Sequence, residues 1–412
     1  RAAVAAGRCG RFHGGGLAAA FKDALRSSDA VAAVAQLLGG EGVDVNMAVN
    51  EAGATMLCMA AHRNHLGLVK LLLGVAGVRP LLGSSEGFAP LYLASRLGHT
   101  AVVGALLKKI QEFPTTEFSD IDQPERKWGT TSLYIASQNG HCSVVSLLLQ
   151  AGADVNRSNF RDGAGPLYAA CRKGHANVVT VLLRHQALQL NHANWKGATA
   201  LYVASRKGHI HVVALLLREK SISVNHETKD GCVPLHAACQ EGYAEISQML
   251  LPRTEDVNCA NNDGLTPLFM ACRGGYIEIV SMLLRRKDID VCRASNSEIL
   301  SPLFVASENG HERVVRKLLA HASIDVNQAR YDGATSLFIA SAEGHEGVVR
   351  LLLRDLAINP NRAREADDGW SPLMIACLRD HLPVVSALLS HEDIDVNHAG
   401  ELGETALYLA CQ

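Results

Sequence analysis

Residues Gly197 to Asn225 have the sequence GATALYVASRKGHIHVVALLLREKSISVN, and nearly the same sequence recurs along almost the whole chain. The leucine of its Leu-x-x-Ala core, Leu201, has an equivalent 34 residues to either side, at Leu167 and Leu235. The equivalent leucines are Leu57, Leu91, Leu133, Leu167, Leu201, Leu235, Leu268, Leu303, Leu337, Leu373 and Leu407. A repeated period of this length indicates a solenoid of stacked repeats.

Each repeat predicts two short helices. Thr199 has the hydroxyl that caps a helix start, and in several repeats the next residue is proline, which fits the first helical turn. Gly208 predicts the end of the first helix, because glycine accepts the left-handed conformation found there. The apolar run from Val212 to Leu217 predicts a second helix. One such unit cannot bury its apolar face alone, so we expect successive units to stack into an all-α protein.

These residues resemble ankyrin repeats. The family pattern of Thr-Pro-Leu-His, Gly-His and Val-Val-x-x-Leu-Leu is visible in PLYAACRKGHANVVTVLL (Pro166 to Leu183), with the Asp-Val-Asn link at Asp154–Asn156. The resemblance implies an ankyrin-repeat solenoid, an alpha horseshoe of helix-turn-helix units with β-hairpin or loop tips. One departure is systematic: the family's histidine after the core leucine is present only as His236, and most other repeats carry tyrosine or phenylalanine.

The domain organisation follows from the repeats. We predict a flexible lead-in over residues 1–16 and a single ankyrin repeat domain over residues 17–412. The domain comprises a degenerate first repeat (17–52), ten full repeats (53–402) and a truncated last repeat (403–412). A loop insertion at about 108–127 accounts for the 42-residue step from Leu91 to Leu133.

Composition and motif content argue against several classes of protein function. The 412 residues carry a net charge of −2, which argues against a dedicated nucleic-acid binder, and the apolar runs are too short for a membrane span. Almost every residue belongs to a repeat, and no nucleophile elbow, phosphate loop or zinc spacing interrupts the pattern. The sequence therefore predicts a protein that is not an enzyme and that needs no cofactor or metal.

The cysteines and histidines follow the repeat as well. Five of the 11 cysteines occupy one repeat position that is serine elsewhere, which is typical of a small packing position. Because the count is odd and no C-x-x-C occurs, we expect a reducing intracellular compartment, the cytoplasm. Histidines recur once per repeat after a glycine, and the resemblance implies that they bond to backbone.

Two functions remain open at this point. The first is a scaffold or adaptor that binds a protein on the concave surface of the repeats. The alternative is the targeting or regulatory array of a larger enzyme or channel whose other domain lies outside this chain.

The predicted partner-binding residues are the positions at which the family makes contacts. The resemblance places these positions at the residues flanking the repeat glycine and at the pair that closes the first helix. They are Arg96, Lys127, Trp128, Arg161, Arg172, Lys173, Trp195, Lys196, Arg206 and Lys207. Later repeats carry Glu241, Glu298, Glu308, Glu343, Asp367 and Glu401 at such positions. This polarity predicts an elongated protein partner with an acidic segment, anchored by Trp128 and Trp195, although simple solvated charges remain an alternative.

Overall fold

The computed structural model describes residues 14–26, 29–40, 43–112, 120–365 and 369–411. Over these ranges the protein is all-α, as predicted, with 23 α-helices, one 3₁₀ helix and no β-strand. The chain divides into two compact units, Arg1–Ile222 and Ser223–Gln412, which we call the N-terminal unit and the C-terminal unit.

Helices alternate along the chain between the first and the second helix of a repeat. In the N-terminal unit the first helices are α1 (Gly14–Ala24), α3 (Met56–His62), α5 (Pro90–Leu97), α7 (Ser132–Asn139), α9 (Pro166–Lys173) and α11 (Ala200–Arg206). The second helices are α2 (Ala30–Leu38), α4 (Leu66–Leu73), α6 (Thr100–Gln111), α8 (Cys142–Gln150), α10 (Ala176–Leu183) and α12 (Ile210–Arg218).

The C-terminal unit continues the alternation. Its first helices are α13 (Pro234–Glu241), α15 (Pro267–Arg273), α17 (Pro302–Glu308), α19 (Ser336–Ala342), α21 (Pro372–Leu378) and α23 (Ala406–Ala410). Its second helices are α14 (Ala244–Leu250), α16 (Ile277–Leu283), α18 (Glu312–Leu319), α20 (Glu346–Leu352) and α22 (Leu382–Leu389). The 3₁₀ helix Leu251–Arg253 follows α14.

Within each unit the helices form two layers. Successive first helices pack on one another, as α5, α7, α9 and α11 do, and successive second helices pack in the same way. Each first helix from α1 to α21 also packs on the second helix of its own repeat. The core lies between the layers, and in the repeat of α11 and α12 it contains Leu201, Ala204, Val212, Val213 and Leu216, all buried.

Local rules explain where the first helices begin and end. The Thr199 hydroxyl accepts a hydrogen bond from the backbone N–H of Tyr202, 3.2 Å away, and so caps α11. Gly208 has a φ of +73°, which glycine adopts without the steric penalty of a side chain. The six prolines predicted for the first turn all begin a first helix: Pro90, Pro166, Pro234, Pro267, Pro302 and Pro372.

The repeated cysteine position is a packing position in most repeats. Cys171, Cys239 and Cys272 are fully buried, as are the serines that replace them in other repeats. Cys377 is half-buried and Cys411 is exposed. Burial raises the pKa of Cys239 to about 12 and raises the pKa of Cys171 and Cys272 still further, so these thiols stay protonated.

Side chains join each repeat to its neighbour. The ring of His141 packs against Gly98, and its Nε2–H donates to the carbonyl oxygen of Arg96, 3.0 Å away. His175 and His345 each make the same contact with the repeat that precedes their own. The histidines therefore bond to backbone, as the resemblance implied, and each bonds to the preceding repeat.

The Asp-Val-Asn links form a second series of contacts. Asn156 donates to the carbonyl oxygen of Ala187 at 2.7 Å and accepts from the N–H of Gln189 at 2.8 Å. Equivalent pairs are made by Asn46, Asn258, Asn327 and Asn361. In one repeat the asparagine is replaced by Cys292, whose sulfur lies 3.3 Å from both the carbonyl oxygen of Ser323 and the nitrogen of Asp325.

Two helices extend into segments predicted as a lead-in and as a loop. Helix α1 begins at Gly14, inside the predicted lead-in, and the rest of that lead-in lies outside the described residues. Helix α6 continues to Gln111, so residues 108–111 of the predicted loop are helical because Ile110 is buried in the core. Residues 113–119 lie outside the described residues.

Three positions depart from the regular repeat. Asn64 and Asp380 end their first helices with a φ of +56°, in place of glycine. The hairpin between Cys292 and Leu300, which lacks the Asp-Gly turn, places Ile299 at a φ of +55°. A β-branched residue pays a steric cost in this conformation.

Candidate functional site

The tips between repeats are connected by backbone hydrogen bonds. The N–H of Phe160 donates to the carbonyl oxygen of Trp128 at 2.7 Å, and the N–H of Trp195 donates to that of Asp162 at 2.8 Å. A turn closes each tip. In one of them, the N–H of Asn194 donates to the carbonyl oxygen of Ala198. In the described part of the chain no tip forms a strand, and isolated antiparallel bridges occur at Ala48–Thr55, Ala329–Thr335 and Ala399–Thr405.

Aromatic rings lie on three successive tips of the N-terminal unit. Trp128 is 39% exposed, and Phe160 and Trp195 are each 57% exposed. Phe160 packs on Gly129 and Trp195 packs on Gly163, so closely that a Cβ on either glycine would lie within 2.5 Å of the ring. Phe160 and Trp195 are therefore fixed against the backbone of the preceding tip while remaining partly exposed to solvent.

Phe160 was missed as a candidate contact residue. It follows Asn159 directly, just as Trp195 follows Asn194, and both aromatic N–H groups make the same bond to the preceding tip. The prediction counted residues back from the glycine, and the tip of Phe160 has one more residue before its glycine. The residue after the tip asparagine is the signal that identifies it.

Cations lie over the Trp128 ring and over the Phe88 ring of the preceding tip. The Lys127 Nζ atom is 5.1 Å and the Arg161 Cζ atom 4.7 Å from the centre of the Trp128 ring. Arg96 lies over the neighbouring Phe88 ring at 5.9 Å. Cation–π contacts of this kind keep the charge close to an apolar surface.

A buried carboxylate shapes the Trp128 tip. Glu125 is 1% exposed although it lies within the predicted loop insertion. Its Oε1 atom accepts from the N–H of Trp128 at 2.7 Å and from the N–H and hydroxyl of Thr130, and its Oε2 atom accepts from the N–H of Lys127 at 2.7 Å. Four donors therefore satisfy the charge and fix the position of Trp128.

The other predicted basic residues lie at the ends of first helices and on the tip that carries Trp195. Arg172 is half-buried, and Lys173, Arg206, Lys207 and Lys196 are exposed. We call the set Arg96, Lys127, Trp128, Arg161, Arg172, Lys173, Trp195, Lys196, Arg206 and Lys207 the basic face. The structure joins Lys127, Trp128 and Arg161 in one contact group and carries the remaining members on neighbouring repeats.

The C-terminal unit carries acids at the corresponding positions. Burial raises the pKa of Glu308, and the charges of Glu343 and Glu298 raise it further while Arg330 lowers it. Glu343 forms an ion pair with Arg379 at 2.9 Å. We call Glu298, Glu308 and Glu343 the acidic face; Asp367 lies outside the described residues.

Comparison with known families decides the identity. A family model described as ankyrin repeats (3 copies) matches residues 21–117, 133–228, 220–295, 285–364 and 356–412. The chain belongs to the ankyrin repeat family. Ankyrin repeats serve in general as scaffolds for protein–protein interaction, and these matches extend over most of the chain.

Two absences hold for the residues of this ankyrin repeat protein that the structure describes. No helix among them is long and apolar enough to cross a membrane. They also contain no group of three or more histidine, cysteine or acidic side chains arranged to hold a metal ion.

Proposed function

We propose that this ankyrin repeat protein is a non-enzymatic scaffold or adaptor that binds an elongated protein partner along the basic face. The face would take an acidic segment of the partner, with Trp128 and Trp195 as anchors. Extended surfaces of stacked repeats are used for binding, and the basic face consists of the positions at which the resemblance to ankyrin repeats predicts contacts.

The observation that carries the proposal is the contact group around Trp128. Its ring has Lys127 and Arg161 over it, and its backbone is fixed by Glu125. Tryptophan and arginine are enriched among the few residues that dominate binding energy at protein interfaces, and a ring held in place loses little entropy on binding. Carboxylates of a partner would meet these cations beside an apolar anchor.

The cysteines support an intracellular site of action. Those in the described residues are free thiols, several of them buried in the packing position between the helices. Such thiols persist in a reducing compartment, and we propose the cytoplasm. We also propose that residues 17–412 form one repeat domain.

The test is a charge reversal at two first-helix ends. Partners are captured from the native cell with the full chain as bait, and the affinity of the captured partner is then measured. The combined change Arg172→Glu, Lys173→Glu, Arg206→Glu and Lys207→Glu should abolish binding without unfolding the protein, and binding to the parent should weaken as salt rises.

The chain offers a matched control on its second helices. Lys70, Lys108, Arg184 and Arg218 are exposed, lie on or directly after α4, α6, α10 and α12, and give the same change in net charge when replaced by glutamate. This control should bind as the parent does. If the partner binds the helix-end variant as tightly as the parent at low salt, the basic face is not the binding site.

A further inference from the structure

One link of the N-terminal unit carries an aspartate where most links carry asparagine. The sequence Asp-Ile-Asp ends at Asp122, 34 residues before the Asp-Val-Asn that ends at Asn156. The N–H of Asp122 donates to the Oδ1 atom of Asp120 at 3.0 Å, and the N–H of Asn156 donates to the Oδ1 atom of Asp154 at 2.9 Å. The two links therefore have the same local geometry.

Half of the normal contact between links is intact at Asp122. Its Oδ2 atom accepts from the N–H of Asp154 at 2.9 Å, just as the side-chain oxygen of Asn156 accepts from the N–H of Gln189 at 2.8 Å. Each of these bonds reaches the next repeat. Asp122 therefore joins the link that follows α6 to the link that follows α8.

The other half of the contact is missing. An asparagine also donates to the carbonyl oxygen two residues before the N–H that it accepts from, as Asn156 does to Ala187 at 2.7 Å. By this spacing the equivalent carbonyl for Asp122 is that of Gly152. The Oδ1 atom of Asp122 is buried and has no hydrogen-bond partner among the described residues. A carboxylate has no hydrogen to donate there, whereas a protonated carboxyl group has one.

The surroundings of Asp122 favour its protonated form. Burial raises the pKa of Asp122, and the hydrogen bond from the N–H of Asp154 offsets part of this rise. Among the described residues, the charged side chains that act on it are Asp120 and Asp154, which raise the pKa, and Arg157, which lowers it. Because burial is the largest effect, the pKa lies above its ordinary value of 3.8.

We propose that Asp122 is a pH-sensitive switch between two neighbouring repeats. In the protonated form, its carboxyl O–H donates to the carbonyl oxygen of Gly152 and restores the contact that asparagine makes elsewhere. In the ionised form, the buried Oδ1 atom carries charge without a donor, which costs free energy and loosens the boundary. This inference goes beyond the proposed function, because it concerns the coupling of repeats and needs no partner.

The raised pKa fixes the direction of the change with pH. A group whose pKa is higher in the folded than in the unfolded protein stabilises the fold fully below the unfolded pKa. This stabilisation is lost as pH rises through the folded pKa. For Asp122 the loss therefore begins near the ordinary value of 3.8 and is complete above the raised value, so the boundary tightens as pH falls.

Hydrogen exchange of the Asp154 amide measures this boundary, because its N–H is bonded to Asp122. The opening constant of that amide, corrected for the intrinsic exchange rate, is compared between variants of the full chain at pH 7 and at pH 4. Asp122→Asn introduces the residue of the other links and supplies the missing donor. It should lower the opening constant about tenfold at pH 7 and about twofold or less at pH 4.

Two neighbouring positions supply the control and the converse test. Asp120→Asn removes the same charge but keeps an oxygen that can accept from the N–H of Asp122, so it should change the opening constant less than about twofold. Asn156→Asp places a carboxylate in a link that now has an amide. It should raise the opening constant of the Gln189 amide about tenfold at pH 7 and about twofold or less at pH 4.

Three outcomes would overturn the switch. If Asp122→Asn leaves the opening constant unchanged at pH 7, the Oδ1 atom already has a donor. If it lowers the constant equally at both pH values, the effect does not come from a proton on Asp122. If Asn156→Asp opens the next boundary no more at pH 7 than at pH 4, a carboxylate in this position does not respond to pH.

Discussion

Helices α9 and α17 begin with the same Pro-Leu pair and present different chemistry. In the N-terminal unit, α9 carries Tyr168 and Arg172; in the C-terminal unit, α17 carries Phe304 and Glu308 at the same positions. The tips differ as well. The tip position held by Asn159 in one unit is held by Arg330 in the other, which lies over the Phe304 ring at 5.6 Å and pairs with Asp332.

This comparison separates the framework residues that both units share from the surface residues that vary between them. Caps, glycines and the buried leucines are common to both units, so they fix the positions of the variable side chains. In the C-terminal unit, Arg330 pairs with Asp332 and Arg379 pairs with Glu343. In the N-terminal unit, Lys127 and Arg161 instead lie over Trp128. The N-terminal cations are therefore better placed to meet charges of a partner.

The largest expected effect concerns the framework that both units share. Leu216 on α12 and Leu318 on α18 are fully buried at the same repeat position. Leu216→Ala and Leu318→Ala should each lower the free energy of unfolding by about 2–5 kcal/mol, because each leaves a cavity between the helix layers. Urea unfolding measures both.

The exposed Leu356 supplies the control for these truncations, and Leu356→Ala should change stability by less than about 0.5 kcal/mol. A loss that small at Leu216 would mean that the buried face of α12 is wrongly assigned. A large loss of unfolding free energy at only one of the two buried leucines would contradict a framework common to both units.

A smaller effect is expected from the buried carboxylate of the N-terminal unit. Glu125→Gln replaces an acceptor oxygen by an NH₂ group that faces a backbone donor, so stability should fall by about 1–3 kcal/mol. Binding of the captured partner should weaken as well, because Glu125 fixes the Trp128 tip. Glu86→Gln, at an exposed acid of the preceding tip, is the control and should change neither quantity.

The smallest effect compares Asp332 with Asp162, the equivalent residue of the N-terminal unit. Arg330 lowers the pKa of Asp332 below its ordinary value of 3.8. Asp332→Asn should cost about 1–2 kcal/mol at neutral pH, given that the Arg330 side chain is partly exposed to solvent. Asp162→Asn should cost less, because its tip has Asn159 in place of that arginine.

The pH dependence of stability tests whether the ion pair between Arg330 and Asp332 causes this difference. A carboxylate whose pKa is lowered by folding stabilises the folded protein above its unfolded pKa, and this contribution disappears as pH falls through the folded pKa. The difference between parent and Asp332→Asn should therefore shrink below about pH 4. A difference that persists unchanged in acid would show that the ion pair is not its source.

Local sequence rules predicted the framework well. Thr199, the helix-starting prolines and Gly208 act through the backbone of their own repeat, so the sequence alone identifies their roles. The surface was harder to predict. Glu125 is buried because its own tip folds around it, yet in the sequence it lies beside Pro124 in a polar stretch typical of an exposed loop.

The candidate contacts show the same limit. Phe160 owes its position to its packing on Gly129 of the preceding tip, and the place of Arg330 over Phe304 likewise depends on a neighbouring repeat. Counting residues within one repeat cannot find contacts of this kind. The assignment of Arg161, Arg172 and the rest of the basic face to a partner stays a prediction.

The thiol of Cys292 has a mechanical consequence for the C-terminal unit. Sulfur is a weak hydrogen-bond donor and acceptor, so this connection is softer than those made by the asparagine amides. The tip contact at the same boundary, from the N–H of Tyr331 to the carbonyl oxygen of Glu298, is 3.5 Å long, whereas the contact made by Glu365 is 2.7 Å. Under a pulling force we expect the C-terminal unit to begin unfolding between these two repeats.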